Sequence, residues 1–129
     1  MKSMKIFSTI MLTVLIFITA CSKSDNSSTN GAAQISGKIT YMNGATGTET
    51  PAPYASVYIC FGTLTAKANP DEIVKTDSAG NYNVKLTTGN YYFSADFTDA
   101  NGFYYKSHNG VSAAINNTTD KPVVNMLVQ

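Results

Sequence analysis

Tryptophan and arginine are both absent from this 129-residue chain, and histidine occurs once. All 9 basic residues are therefore lysines. Without arginine the chain lacks the planar fork that reads base edges and clamps phosphates, and no basic stripe stands in for it. Nucleic-acid partners are excluded on that ground. Charge of either sign is scarce, at 13% of residues. A helical bundle wants Leu, Ala, Glu and Lys in quantity, whereas this chain carries its polarity on Asn, Ser, Thr and Tyr. That mixture suits an exported protein built from strands. Long hydrophobic runs are also missing, with one exception at the N-terminus.

The exception runs from Ile6 to Thr19 without a charge and follows Lys2 and Lys5. About 14 residues make a signal-peptide core but fall short of the ~20 that span a bilayer as a helix. The run ends Ile18-Thr19-Ala20-Cys21. This segment resembles the lipobox of bacterial lipoproteins, in which a branched residue and small residues precede the cysteine that receives lipid. The competing reading is an ordinary secretory signal followed by an unrelated cysteine. The resemblance implies a signal peptide over 1–20, lipidation of Cys21 and membrane attachment through acyl chains. Several such chains anchor stably where one is marginal. Ser22, rather than Asp, after the cysteine implies sorting to the outer membrane. Setting aside Lys2 and Lys5 leaves 7 lysines against 8 acids, a net −1 for the processed chain.

Residues 21–33 follow as a lipidated tether, with SKSDNSSTNGAA after the cysteine. The stretch has no large apolar residue, so it cannot bury enough surface to offset its ordering entropy. From residue 34 to 129 the dominant signal is alternation with period two. Ile35, Gly37, Ile39 and Tyr41 share one face, as do Ala55, Val57, Ile59 and Phe61. Tyr82, Val84 and Leu86 form a third set, and Tyr91, Phe93, Ala95 and Phe97 a fourth. Ser36, Lys38, Asn81, Asn83, Lys85, Ser94, Asp96 and Thr98 occupy the opposite faces. Weaker strand signals lie at 72–76, 103–106 and 123–128. The expectation is an all-β, seven-stranded antiparallel sandwich of the immunoglobulin-like or transthyretin-like kind. Residues 44–53 read as a loop, and 109–121 as a long loop or a weakly formed strand. Asp77-Ser78-Ala79-Gly80-Asn81 reads as a turn, with Asp77 bonding the backbone ahead and Gly80 taking positive φ.

Four segments carry a further resemblance: ISGKI at 35–39, PYASVYI at 53–59, KTDSAGNYNV at 75–84 and TGNYYF at 88–93. Their order and spacing resemble the carboxypeptidase regulatory-like domain, a transthyretin-like sandwich. The likeness spans about residues 34–98. It implies a mostly non-catalytic accessory module, and a Tyr91 hydroxyl bonded to a turn backbone. Beyond residue 98 the chain departs from that pattern, with NGVSAAINNTTD before the last strand, which leaves the final pairing open.

Candidate chemistry is thin. With Cys21 committed to lipid, Cys60 has no internal partner and reads as a small packed residue. His108 has no cysteine or carboxylate at ligand spacing, so no metal is expected. No nucleophile elbow surrounds any serine. Asp96 and Asp99 flank a strand end and could serve either Ca²⁺ or Asx turns. Tyr58, Tyr92 and Tyr104 point away from the core on neighbouring strands. They are the candidate ligand-contact aromatics, against the alternative that they merely cover the sheet. No enzyme activity and no cofactor are expected. The leading reading is a membrane-anchored, non-catalytic envelope module for a protein, peptide or glycan partner. The alternatives are a structural subunit of an envelope complex and, further off, a small hydrolase or metal-binding protein.

Overall fold

The computed structural model describes residues 29–129. The expected signal peptide, Cys21 and the tether as far as residue 28 lie outside the described residues. The described residues form nine strands and no helix. They are β1 (Ala33–Asn43), β2 (Thr48–Pro51), β3 (Ser56–Phe61), β4 (Glu72–Lys75), β5 (Asn81–Leu86), β6 (Gly89–Thr98), β7 (Tyr104–Lys106), β8 (Val111–Ile115) and β9 (Met126–Val128).

Two sheets result. In the first, one edge of β1 pairs antiparallel with β5 at residues 33–38 and with β2 at 40–43, end to end. Along its other edge β1 pairs in parallel with β9. In the second, β3 lies between β4 and β6, and the far edge of β6 carries β7 and β8 in succession. The C-terminal residues link the two layers. Val128 bridges Ser107, and Lys106 and Gln129 exchange backbone hydrogen bonds of 3.2 and 3.0 Å. One flank of the sandwich is thereby stitched shut.

The inner faces are those marked by alternation. Ile35, Ile39 and Leu86 of the first sheet meet Val57, Ile59, Tyr91 and Phe93 of the second, all with no measurable exposure. Opposite residues such as Lys38, Asn81 and Asn83 are exposed, and Ser36 is half-buried. Alternation succeeds here because each sheet has one dry and one wet side.

Nine strands are two more than the seven that alternation marks. Strand β2, read as a loop, is Thr-Glu-Thr-Pro and buries no side chain fully. Backbone pairing with β1 makes it a strand, and nothing in its side chains announces that. Strand β8 falls where the reading left loop and strand both open. Its inward residues are Val111, Ala113 and Ile115, and the small central alanine weakens the pattern. The last pairing, also left open, is parallel.

Polar contacts hold the layers in register. Thr76 is 2% exposed, and its hydroxyl accepts from the Ala55 N–H (2.8 Å) and donates to the Ala52 carbonyl (2.7 Å). The Tyr91 hydroxyl donates to the Thr87 carbonyl at 2.8 Å, the turn bond that the resemblance implies. Tyr82 donates to the Val124 carbonyl at 2.7 Å. Gly37 leaves room for that contact, because a Cβ there would collide with the Val124 carbonyl and the Tyr82 ring. Gly80 takes φ of 80° while the Asp77 carboxylate accepts from the Ala79 and Asn81 N–H groups, both at 2.9 Å.

Candidate functional site

The outward face of the second sheet brings two of the three candidate tyrosines together. In register, Lys75 (β4), Ser56 (β3), Asp96 (β6) and Lys106 (β7) form one row across four strands. Tyr58 lies one row to one side, opposite Ser94, and Tyr104 one row to the other, opposite Thr98. Both reach diagonally to the same oxygen. Tyr58 donates to Asp96 Oδ2 at 2.7 Å and Tyr104 donates to it at 3.1 Å.

That geometry fixes the posture of the rings. Aspartate is short, so its carboxylate sits close to the sheet. A tyrosine standing upright would hold its hydroxyl well above it. To reach Asp96 from a diagonal position, each side chain must lean along the sheet. Tyr104 is 61% exposed and Ile73, opposite Tyr58, is 52% exposed. The result is a shallow aromatic and aliphatic platform around one carboxylate.

Burial against the sheet, followed by the Asp96 carboxylate, pushes the Tyr58 and Tyr104 phenols above their ordinary value. Both are therefore donors at neutral pH and Asp96 is their acceptor. Asp96 Oδ1 has no hydrogen-bond partner among the described residues. Lys75 is turned to the Ser56 hydroxyl at 2.7 Å. The sole ion pair among the described residues is Lys67–Asp71, on an exposed loop, so Lys106 stands beside Asp96 without pairing to a carboxylate. The face thus offers ring surface, one open carboxylate oxygen and one open ammonium group.

The third candidate, Tyr92, shares the face but not the cluster. It lies four residues from Asp96 along β6, roughly 13 Å at strand rise, and its hydroxyl accepts from the Gly110 N–H at 3.0 Å. Cys60 lies opposite Tyr92 as a free thiol, 4% exposed. Asp96 and Asp99 share no hydrogen-bond partner. Asp99 Oδ1 accepts from the Asn101 and Phe103 N–H groups at 2.8 and 3.0 Å, which makes an Asx turn. Among the described residues no group of three or more His, Cys, Asp or Glu could hold a metal ion. His108 is exposed and makes no hydrogen bond to a serine or a carboxylate among those residues.

Sequence reasoning named Asp96 but did not see it as the centre of the face. Period two puts Tyr58, Asp96 and Tyr104 on outward faces. Only the strand order β3-β6-β7 and its register make them neighbours, and neither is written in a local pattern. Lys75, Lys106 and Ile73 were missed for the same reason. A surface cavity of about 640 Å³ lies instead on the first sheet, lined by Ser36, Lys38, Asn81, Asn83 and Asn125 among others. It has no exposed aromatic wall, and the carboxylate at its border, Asp77, is held in its own turn.

No family model matches the chain, and no curated protein matches it. Solved structures do. A candidate carbohydrate-binding protein from Pseudomonas aeruginosa superimposes with a TM-score of 0.50 at 15% identity, over 77% of this chain and 91% of that one. The major pilin subunit of Bacillus cereus matches with a TM-score of 0.42 at 16% identity, over 74% of this chain and 30% of the pilin. The first likeness establishes a shared β-sandwich fold.

Proposed function

We propose that this chain is a non-catalytic glycan-binding module, hung from the outer membrane by lipid on Cys21, with the Tyr58–Asp96–Tyr104 face as its binding surface. One observation carries the reading: the hydroxyls of two tyrosines on neighbouring strands converge on one carboxylate oxygen of Asp96 and leave the other open. A sugar ring has an apolar face of C–H groups and a rim of hydroxyls. The tyrosines match the first, and Asp96 and Lys106 match the second. The candidate carbohydrate-binding protein with the same fold is consistent with this ligand class. The Ile18-Thr19-Ala20-Cys21 motif supports the anchor, and the resemblance to the carboxypeptidase regulatory-like domain supports an accessory role without chemistry.

The test is an oligosaccharide binding screen on the full-length protein in detergent, repeated with Tyr104→Ala. The expected result is a saccharide ligand whose affinity drops at least tenfold in the variant. A screen with no saccharide binding, or binding indifferent to Tyr104, refutes the proposal. The anchor is tested separately: Cys21→Ser should abolish acyl labelling and membrane fractionation, and unchanged labelling would refute it.

A further inference from the structure

The turns that join β1 to β2 and β6 to β7 enclose a cavity of about 230 Å³ at one end of the sandwich. We propose that this cavity is a second saccharide site, which receives one neutral pyranose ring end-on. The inference takes its ligand class from the glycan reading above, but its residues and its geometry are its own.

Size sets the first limit. At about 30 Å³ for each water in the liquid, the space equals roughly seven or eight waters. Pockets for drug-sized ligands begin near 300 Å³. The cavity holds one ring and not a chain.

Its walls set the second limit. Tyr105 is braced from behind by Tyr41, with ring centroids 5.1 Å apart, and by Phe97 at 6.1 Å. Phe103 also lines the cavity and is 65% exposed. Its ring gives the cavity mouth an exposed apolar surface. Asn43 and Asn101 add side-chain amides to the lining. Apolar walls with a few amides match a ring that is apolar on its faces and hydroxylated at its rim.

Charge sets the third limit. Asp99 lines the cavity, and its Oδ2 accepts from the Tyr105 hydroxyl at 3.2 Å. No lysine lines the space. A uronate would meet a carboxylate with nothing to neutralise it, so the site selects neutral rings.

The rim is set before any ligand arrives. Asn43 Oδ1 accepts from the Ala45 N–H at 2.9 Å and the Thr46 N–H at 3.3 Å. Asp99 closes the facing turn in the same way. A preformed rim lowers the ordering cost of binding. Tyr104 sits between Phe103 and Tyr105 in sequence but on the outer face of the sheet, because Tyr104 and Tyr105 are successive residues of β7 and face opposite ways. The two sites are therefore separable by mutation.

The experiment is an amide-shift titration of the full-length protein in detergent micelles with glucose, galactose and glucuronate, on wild type, Phe103→Ala and Tyr104→Ala. The expected result is movement at residues 43–46 and 99–103 with both neutral sugars, and at least tenfold weaker binding of glucuronate. Phe103→Ala should weaken that binding at least tenfold, while Tyr104→Ala leaves it intact. Silent amides at the cavity, equal binding of glucuronate, or indifference to Phe103→Ala each overturn the inference. Oligosaccharide binding that is lost in Tyr104→Ala while the cavity stays silent defeats this inference and spares the platform. Cavity shifts in a protein whose oligosaccharide binding ignores Tyr104 do the reverse.

Discussion

Thr76 and Tyr91 show how single side chains secure a small sandwich. The Thr76 hydroxyl serves two backbone groups at a buried crossing. Thr76→Val keeps the shape and removes both bonds, leaving an N–H and a carbonyl buried without partners. The expected loss is about 2–4 kcal/mol, read by urea denaturation; a loss below about 0.5 kcal/mol would contradict the role given to that hydroxyl. Tyr91→Phe removes the hydroxyl's bonds to the Thr87 carbonyl and the Thr87 hydroxyl and should cost about 1–2 kcal/mol, with a fully folded variant. Asp96 is different in kind. It lies on a solvent-facing row, and its two tyrosine bonds organise a surface more than they hold a core. Its outward position was legible from alternation. Its two donors were not, because Tyr58 and Tyr104 stand 38 and 8 residues away in sequence.

Strands differ in how plainly they are written. β1, β3, β5 and β6 carry mostly large apolar residues at alternate positions, with Gly37 and Ala95 as small exceptions, and are the four the alternation marks most strongly. β2 is largely polar and β8 has small residues at its centre, so both lean on a neighbour's backbone for their conformation. β9 belongs with them: its inward Met126 and Val128 are ordinary core residues, but its parallel pairing with β1 depends on a chain reversal over the loop before it. Gly37 ties these elements together, since the C-terminal segment and the Tyr82 ring both approach its bare Cα. Gly37→Ala should therefore act on the C-terminal seam. Thermal melts should show a drop of several degrees or failure to fold, and hydrogen exchange should quicken at 124–128 before it quickens in β3 or β6. Protection unchanged at 124–128 would sink that account of the seam.

At the level of the whole molecule, alkaline pH probes the interior. Burial holds the Tyr82 phenol far above its ordinary value of 10.0. Between the ordinary and the folded values the native state keeps a proton that the unfolded chain has shed, so stability falls as pH rises. The contribution is complete below about pH 10 and fades as pH climbs through the folded value. A phenolate absorbance titration should leave Tyr82 un-ionised until the protein unfolds; titration of all 8 tyrosines near pH 10 with the fold intact would contradict its burial. The same molecule presents a braced core and a thinly populated surface, with the Tyr58–Asp96–Tyr104 platform on one sheet. The most direct measurement is the affinity of Asp96→Ala for the best saccharide ligand of the wild type, taken beside its melting temperature. The account predicts binding weaker by at least tenfold, or about 1.4 kcal/mol, with the melt displaced by only a few degrees. Unaltered affinity in a folded variant would contradict it.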